Sequence, residues 1–137
     1  MLKSTDLGRT SDQNAFADED PDFFLERVGP SHTLILNKYC VVRPQYLIHT
    51  NLFVPQSDHL SASDLSAAWD VLSRLKSPHM IIYNCGFEGG SSLGHKHIQI
   101  LPRPLKEEFK FFPDSIGISE GQPCSKMTYL GGSRTKT

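Results

Sequence analysis

The strongest constraint in this chain is a strand that has to face two ways. Residues 94–102 read GHKHIQILP, with polar and apolar side chains in alternation. On a strand, alternate side chains share a face, so His95, His97 and Gln99 point one way and Lys96, Ile98 and Ile100 the other. The isoleucines need a core, so the His-His-Gln row looks away from it, into a cleft or solvent. A glycine-serine run, EGGSS at 88–92, leads into this strand. A structural histidine needs no such approach, and the conjunction points to chemistry.

The elements around this strand set the fold class. SHTLILNKYCVV at 31–42 is rich in β-branched and aliphatic residues and predicts a strand. Arg43 and Pro44 interrupt it, because proline removes a ladder donor. QYLIHTN predicts the antiparallel return strand, and MIIY and HIQILP two more, joined by the glycine-serine turn. SASDLSAAWDVLSRL at 61–75 predicts a helix, with Ser61 as N-cap and Asp64 at the positive end of its dipole. Leu65, Ala68, Trp69, Leu72 and Leu75 then form its apolar stripe, which places Trp69 in the core. Strand, strand, helix, strand, strand with short connections gives an α+β fold, an antiparallel sheet with a helix packed on one face.

At 137 residues the chain is long enough for one compact domain and too short for two good ones. Residues 1–27 read as a flexible N-terminal arm ending in FFLERV, which suits a docking turn; 28–104 form the core, and 105–137 a weakly structured tail. A net charge of -1 leaves no basic excess for a phosphate backbone, which argues against nucleic acid as partner. Cys40, Cys85 and Cys124 follow no metal or redox spacing and read as reduced thiols. With no signal-like or membrane-spanning run in the sequence, the expectation is a cytoplasmic protein.

A row of imidazole, imidazole and carboxamide beside a backbone-rich turn suits a phosphate. Gly89, Gly90, Ser91 and Ser92 are expected to present successive N–H groups as an anion-binding nest. Lys38 would add a positive charge if its strand lies beside this one. A neutral histidine attacks phosphorus through one ring nitrogen when the other is fixed by an acceptor. His97 is placed for that role, with His95 and Gln99 orienting the phosphate oxygens. Removing one such preorganised donor raises a barrier by about 3 kcal/mol. Gln99 cannot deliver a proton, so the leaving group has to depart unaided, as a polyphosphate does.

The pattern GHKHIQILP resembles the histidine-triad superfamily, whose motif alternates three polar positions with apolar ones; glutamine at the third marks its transferase branch. HTLILNKYCVV, FVPQSDHLSASDL and YNCGFEGGSSLGHKHIQILPRP further resemble the ATP adenylyltransferases, or diadenosine tetraphosphate phosphorylases, across roughly residues 28–104. The resemblance implies an HIT-like fold and phosphorolysis of a dinucleoside polyphosphate to ATP and ADP through an adenylylated His97. Inorganic phosphate is then the acceptor. It implies that His95 and Gln99 flank the nucleophile, that Asn84, Gly90, Ser91 and Ser92 hold phosphates and ribose, and that Lys38 meets the polyphosphate. It requires no cofactor, leaves a divalent metal open, and is compatible with a homodimer.

Other readings stand beside this one. His95 and His97 suit zinc, with His49, His59 or Cys85 as a third ligand. A non-catalytic nucleotide binder, a hydrolase with water as acceptor and a galactose-1-phosphate uridylyltransferase complete the set. His32, His59 and His79 lie at element edges and are expected in solvent.

Overall fold

The computed structural model describes Phe16 and residues 20–111. Two compact units divide the chain, Met1–Arg103 and Pro104–Thr137. In the described part of the second, the amides of Glu108 and Phe109 both donate to Leu105 O at 3.0 Å, and Phe109 meets Phe111 edge-on. Most of the arm and tail expected at the two ends lies outside the described residues, as does Cys124.

The first unit contains β1 (Phe24–Val28), β2 (His32–Leu36), β3 (Tyr46–Thr50), α1 (Ala62–Arg74), β4 (His79–Ile82) and β5 (His97–Pro102). All neighbours pair antiparallel in the order β1-β2-β3-β5-β4. The α+β class and the helix on one face follow the sequence. In register, Leu34 faces Ile48 and Ile48 faces Ile98, so one apolar row crosses the three central strands. This row packs on Ala67, Ala68 and Val71 of α1, with Val28 and Ile100 completing the core. Burying each branched side chain contributes on the order of 2 kcal/mol. The opposite face carries Thr33, His49 and His97 in one row and Ile35, Leu47 and Gln99 in the next.

The structure revises four readings. FFLERV is no turn: Phe24–Val28 forms β1, paired with β2 and closed by a turn at Gly29, whose φ of 59° suits glycine. β2 stops at Leu36 rather than running to Val42, and Lys38 sits in the turn beyond it. The Asn37 side chain caps that turn by accepting from the amide of Tyr39 at 3.0 Å. Trp69 and Leu65, expected in the core, are 69% and 56% exposed. His32, expected in solvent, is buried.

The last two reversals share one cause. Ser61 and Asp64 form a capping box that fixes the first turn of α1 with Asp64 pointing inward. There its carboxylate meets His32 Nε2 at 2.8 Å and Lys96 Nζ at 2.9 Å. Burial by itself would raise the Asp64 pKa. The hydrogen bonds from the Ser61 amide, His32, Lys96 and the Ser61 hydroxyl outweigh it and hold the group well below the usual carboxylate range. The helix therefore buries the Asp64–Ala67–Ala68–Val71 side and turns Leu65 and Trp69 outward.

Candidate active site

β5 opens at His97, and the preceding His95 is held by an isolated bridge to Pro55. Lys96 reaches through to the helix side, where His59 O and Asp64 take its ammonium. Its amide donates to Val54 O at 2.8 Å, and its carbonyl accepts from Thr50 N at 3.2 Å. With the middle residue anchored on the core side, His97 is committed to the other face.

His97 lines a cavity of about 490 Å³ together with Gln99, Lys38 and Ser92. Phe16, Phe23, Ile35, Leu47 and Leu93 supply its apolar wall. The ring is buried, and its Nδ1 lies 2.8 Å from His95 O. A carbonyl only accepts, so Nδ1 carries the hydrogen and Nε2 of the neutral ring keeps its lone pair. Burial pushes the His97 pKa below the ordinary imidazole value, against the pull of the His95 carbonyl. The geometry fixes the tautomer with hydrogen on Nδ1 and the lone pair on Nε2.

The other expected residues divide into two groups. Gln99 is on the cavity wall, and its carboxamide pairs with Gln45 at 2.6 Å. Lys38 reaches the same cavity from its turn, 3.6 Å from Asp20 and over the ring of Phe23. Ser92 joins from the glycine-serine turn. His95, Asn84, Gly90 and Ser91 lie outside the wall. The His95 ring turns toward β3, with Nε2 2.8 Å from Thr50 O and 3.0 Å from Thr50 Oγ. What His95 offers His97 is its backbone carbonyl.

The nest expected over Gly89–Ser92 is largely spent inside the turn. Gly89 N donates to Gly86 O, Gly90 N to Phe87 O and Ser91 N to Gly86 O. The buried Ser91 hydroxyl donates to Leu93 O at 2.9 Å. The glycines serve shape instead: a Cβ at Gly89 would stand 2.6 Å from Cys85 O, and Gly90 has a φ of 89°. The turn is self-contained and delivers Ser92 and Leu93 to the cavity.

Phe16 and Gln56 escaped the sequence reading, and His49 entered it only as a possible zinc ligand. His49 pairs directly with His97 across β3 and β5, with Nδ1 3.0 Å from Thr50 O. Phe16 stacks on His49 at 4.1 Å and stands edge-on to His95 and His97. Gln56 is buried and bonds to the peptide of His97. Nothing local announces Gln56; its signal lay only in the wider run FVPQSDHL. Among the described residues no group of three His, Cys, Asp or Glu side chains is arranged to hold a metal ion. His49 and His95 both direct a ring nitrogen to Thr50 O, so the zinc reading has no site in this part of the chain.

A five-stranded antiparallel sheet with one helix, carrying a His-X-His-X-Gln run whose middle histidine faces a cavity, defines a histidine-triad-like domain. The chain belongs to the Ap4A phosphorylase N-terminal domain family, which it matches over residues 2–117. It is 34% identical over 126 residues to diadenosine 5',5'''-P1,P4-tetraphosphate phosphorylase 2 of Saccharomyces cerevisiae, an alignment that takes in 81% of this chain and 38% of that protein. It is 40% identical over 91 residues to Protein APA1 of the same yeast, covering 63% of this chain and 28% of the relative. The chain thus spans well under half the length of these relatives. Among solved structures it resembles yeast Ap4A phosphorylase Apa2 in complex with Ap4A, with a TM-score of 0.66 at 34% identity over 72% of this chain and 37% of that one. The AMP complex of Apa2 gives 0.65 at 35% identity, over 76% and 38%.

Proposed function

We propose that this domain carries the nucleotidyl-transfer site of a diadenosine tetraphosphate phosphorylase, with Nε2 of His97 as nucleophile. The observation that supports it most is the tautomer lock: Nδ1 of His97 bonded to His95 O, leaving Nε2 on the cavity side of a buried, neutral ring. Nε2 attacks the phosphorus nearest one adenosine, an N–P bond forms, and the bridging P–O bond breaks to release ATP. An oxygen of inorganic phosphate then attacks the adenylyl phosphorus, the N–P bond breaks, and ADP leaves. Both leaving events suit a site without a strong acid, because polyphosphate and neutral imidazole depart without a proton from Gln99. Gln99 and Ser92 supply neutral donors to the phosphate oxygens, and Lys38 supplies charge for the polyphosphate arm. The apolar wall at Phe23, Ile35 and Leu47 suits a base or ribose face. A cytoplasmic setting belongs to the same reading.

The test is covalent trapping. The protein is mixed with diadenosine tetraphosphate, quenched at alkaline pH where a phosphoramidate survives, and its intact mass measured. The expected result is an adenylyl adduct on His97 that phosphate discharges as ADP. In His97→Asn, the adduct is absent while nucleotide affinity persists. Binding without an adduct in the unsubstituted protein would replace the transferase with a nucleotide-binding module.

A further inference from the structure

β4 and β5 pair from His79↔Pro102 up to Ile82↔Gln99, and there the ladder stops. The chain leaves β4 toward the glycine turn, and the peptide groups of Asn84 and His97 pass beyond the last paired residues. A side chain fills the gap. Gln56 Oε1 accepts from His97 N at 2.6 Å, and Gln56 Nε2 donates to His97 O at 3.1 Å and to Asn84 O at 2.8 Å. The orientation of this carboxamide is fixed by its partners, since an amide N–H only donates and a carbonyl only accepts. A primary carboxamide has the donor and acceptor of a peptide group, so Gln56 replaces one residue of a missing strand.

The segment bearing it is itself anchored. Gln56 N donates to Gly94 O, and Gln56 O accepts from Gly86 N at 3.0 Å and from the Tyr83 hydroxyl at 2.7 Å. Cys85 Sγ donates to Ser57 O at 3.2 Å. Position 56 is therefore tied to both ends of the glycine turn and to the peptide of the nucleophile, and it is 2% exposed.

We infer that Gln56 is a positioning residue for the transfer reaction: by holding both polar groups of the His97 peptide, it fixes the direction in which Nε2 meets the phosphorus. The inference rests on the reading of His97 as nucleophile. A misplacement of about 1 Å can cost on the order of a hundredfold in rate, and removing the carboxamide frees this peptide on its unpaired side.

Two substitutions separate positioning from bulk. Gln56→Met keeps the volume and loses all three bonds. Gln56→Glu keeps the acceptor for His97 N but sets a carboxylate oxygen against two carbonyl oxygens, a contact relieved when the carboxyl takes up a proton. The titratable side chains that meet this segment are Tyr83, Cys85 and Lys96. The Tyr83 hydroxyl donates to Gln56 O, the Cys85 thiol to Ser57 O, and the Lys96 ammonium, paired with Asp64, to His59 O. His97 meets Gln56 through its backbone. The experiment measures adduct formation on His97 against pH, nucleotide affinity, and hydrogen exchange at the His97 amide. Gln56→Met is expected to lower the adduct rate by about ten- to a hundredfold with affinity within about threefold. His97 N exchanges faster while Ile98 and Ile100 stay protected. The rate of Gln56→Glu relative to the unsubstituted protein rises on acidification, whereas that of Gln56→Met does not. A Gln56→Met rate within twofold of the parent, or affinity and melting temperature falling in step with rate, overturns the inference. If the parent forms no adduct, the nucleophile reading fails; exchange at His97 N then decides whether Gln56 holds the peptide, selective loss supporting it and no change sinking it.

Discussion

The proposed attack by His97 requires a neutral ring, and burial favours that form. Because the folded pKa lies below the ordinary 6.5, adduct formation is expected to stay level through neutrality and to fall on the acid side of that value. The same shift acts on stability. An unfolded His97 takes its proton near 6.5 and the folded one only lower, so the stability tied to the neutral ring is present above 6.5 and drains as pH falls through the folded pKa. Melting curves run beside the rate profile separate the two effects. An activity loss that begins above 6.5, with the fold intact, would show that a group other than His97 limits the reaction.

At the scale of elements, the helix and the histidine strand are joined by charge. Asp64 holds Lys96 from β5's approach and His32 from β2, while capping its own helix through Ser61. Asp64→Ala strands a buried ammonium and is expected to cost about 3–5 kcal/mol in denaturant unfolding. Ser61→Ala removes one cap bond and is expected to cost about 1 kcal/mol. Equal, small effects would mean that Lys96 finds water when its partner goes. The depressed Asp64 pKa adds a sign: its contribution is full above the ordinary 3.8 and is lost as pH falls below that value. Lys96 shows how alternation alone misleads. Its place on the core face was legible from the period of two, but its partner lay 32 residues away.

Across the molecule, the two faces of the sheet divide the labour. One packs the helix, and the other carries the row of histidines and the cavity. The outward turn of α1 leaves the chain's single tryptophan in solvent, so Trp69 fluorescence is expected to resemble that of free indole and to be quenched readily by iodide. Because Trp69 stands on the helix side of the sheet, nucleotide bound at His97 should leave that quenching unchanged. Protection from iodide would show that the outer face of α1 is covered.

The fold class is legible without coordinates: a period of two in GHKHIQILP, β-branched runs on either side, and a capped helix between them suffice for an antiparallel sheet with one covered face. The sequence also put His95, His97 and Gln99 on the face away from the core, because a row of polar side chains opposite isoleucines has to face away from it, and the resemblance to the histidine-triad motif pointed to His97 among them. Which side chains surround it emerges only from the packing. Short-range pattern carries no information about rotation of a helix, so a buried carboxylate rather than hydrophobicity set the inward side of α1 and placed Trp69 outside. Nor does it show which amides a turn spends on itself: of the nest expected at Gly89–Ser92, the amides of Gly89, Gly90 and Ser91 donate within the turn. The grip on His97 comes from Gln56, 41 residues earlier. Its carboxamide matters because two strands diverge there and leave His97 N–H, His97 O and Asn84 O to be satisfied, a fact that exists only once the chain has folded.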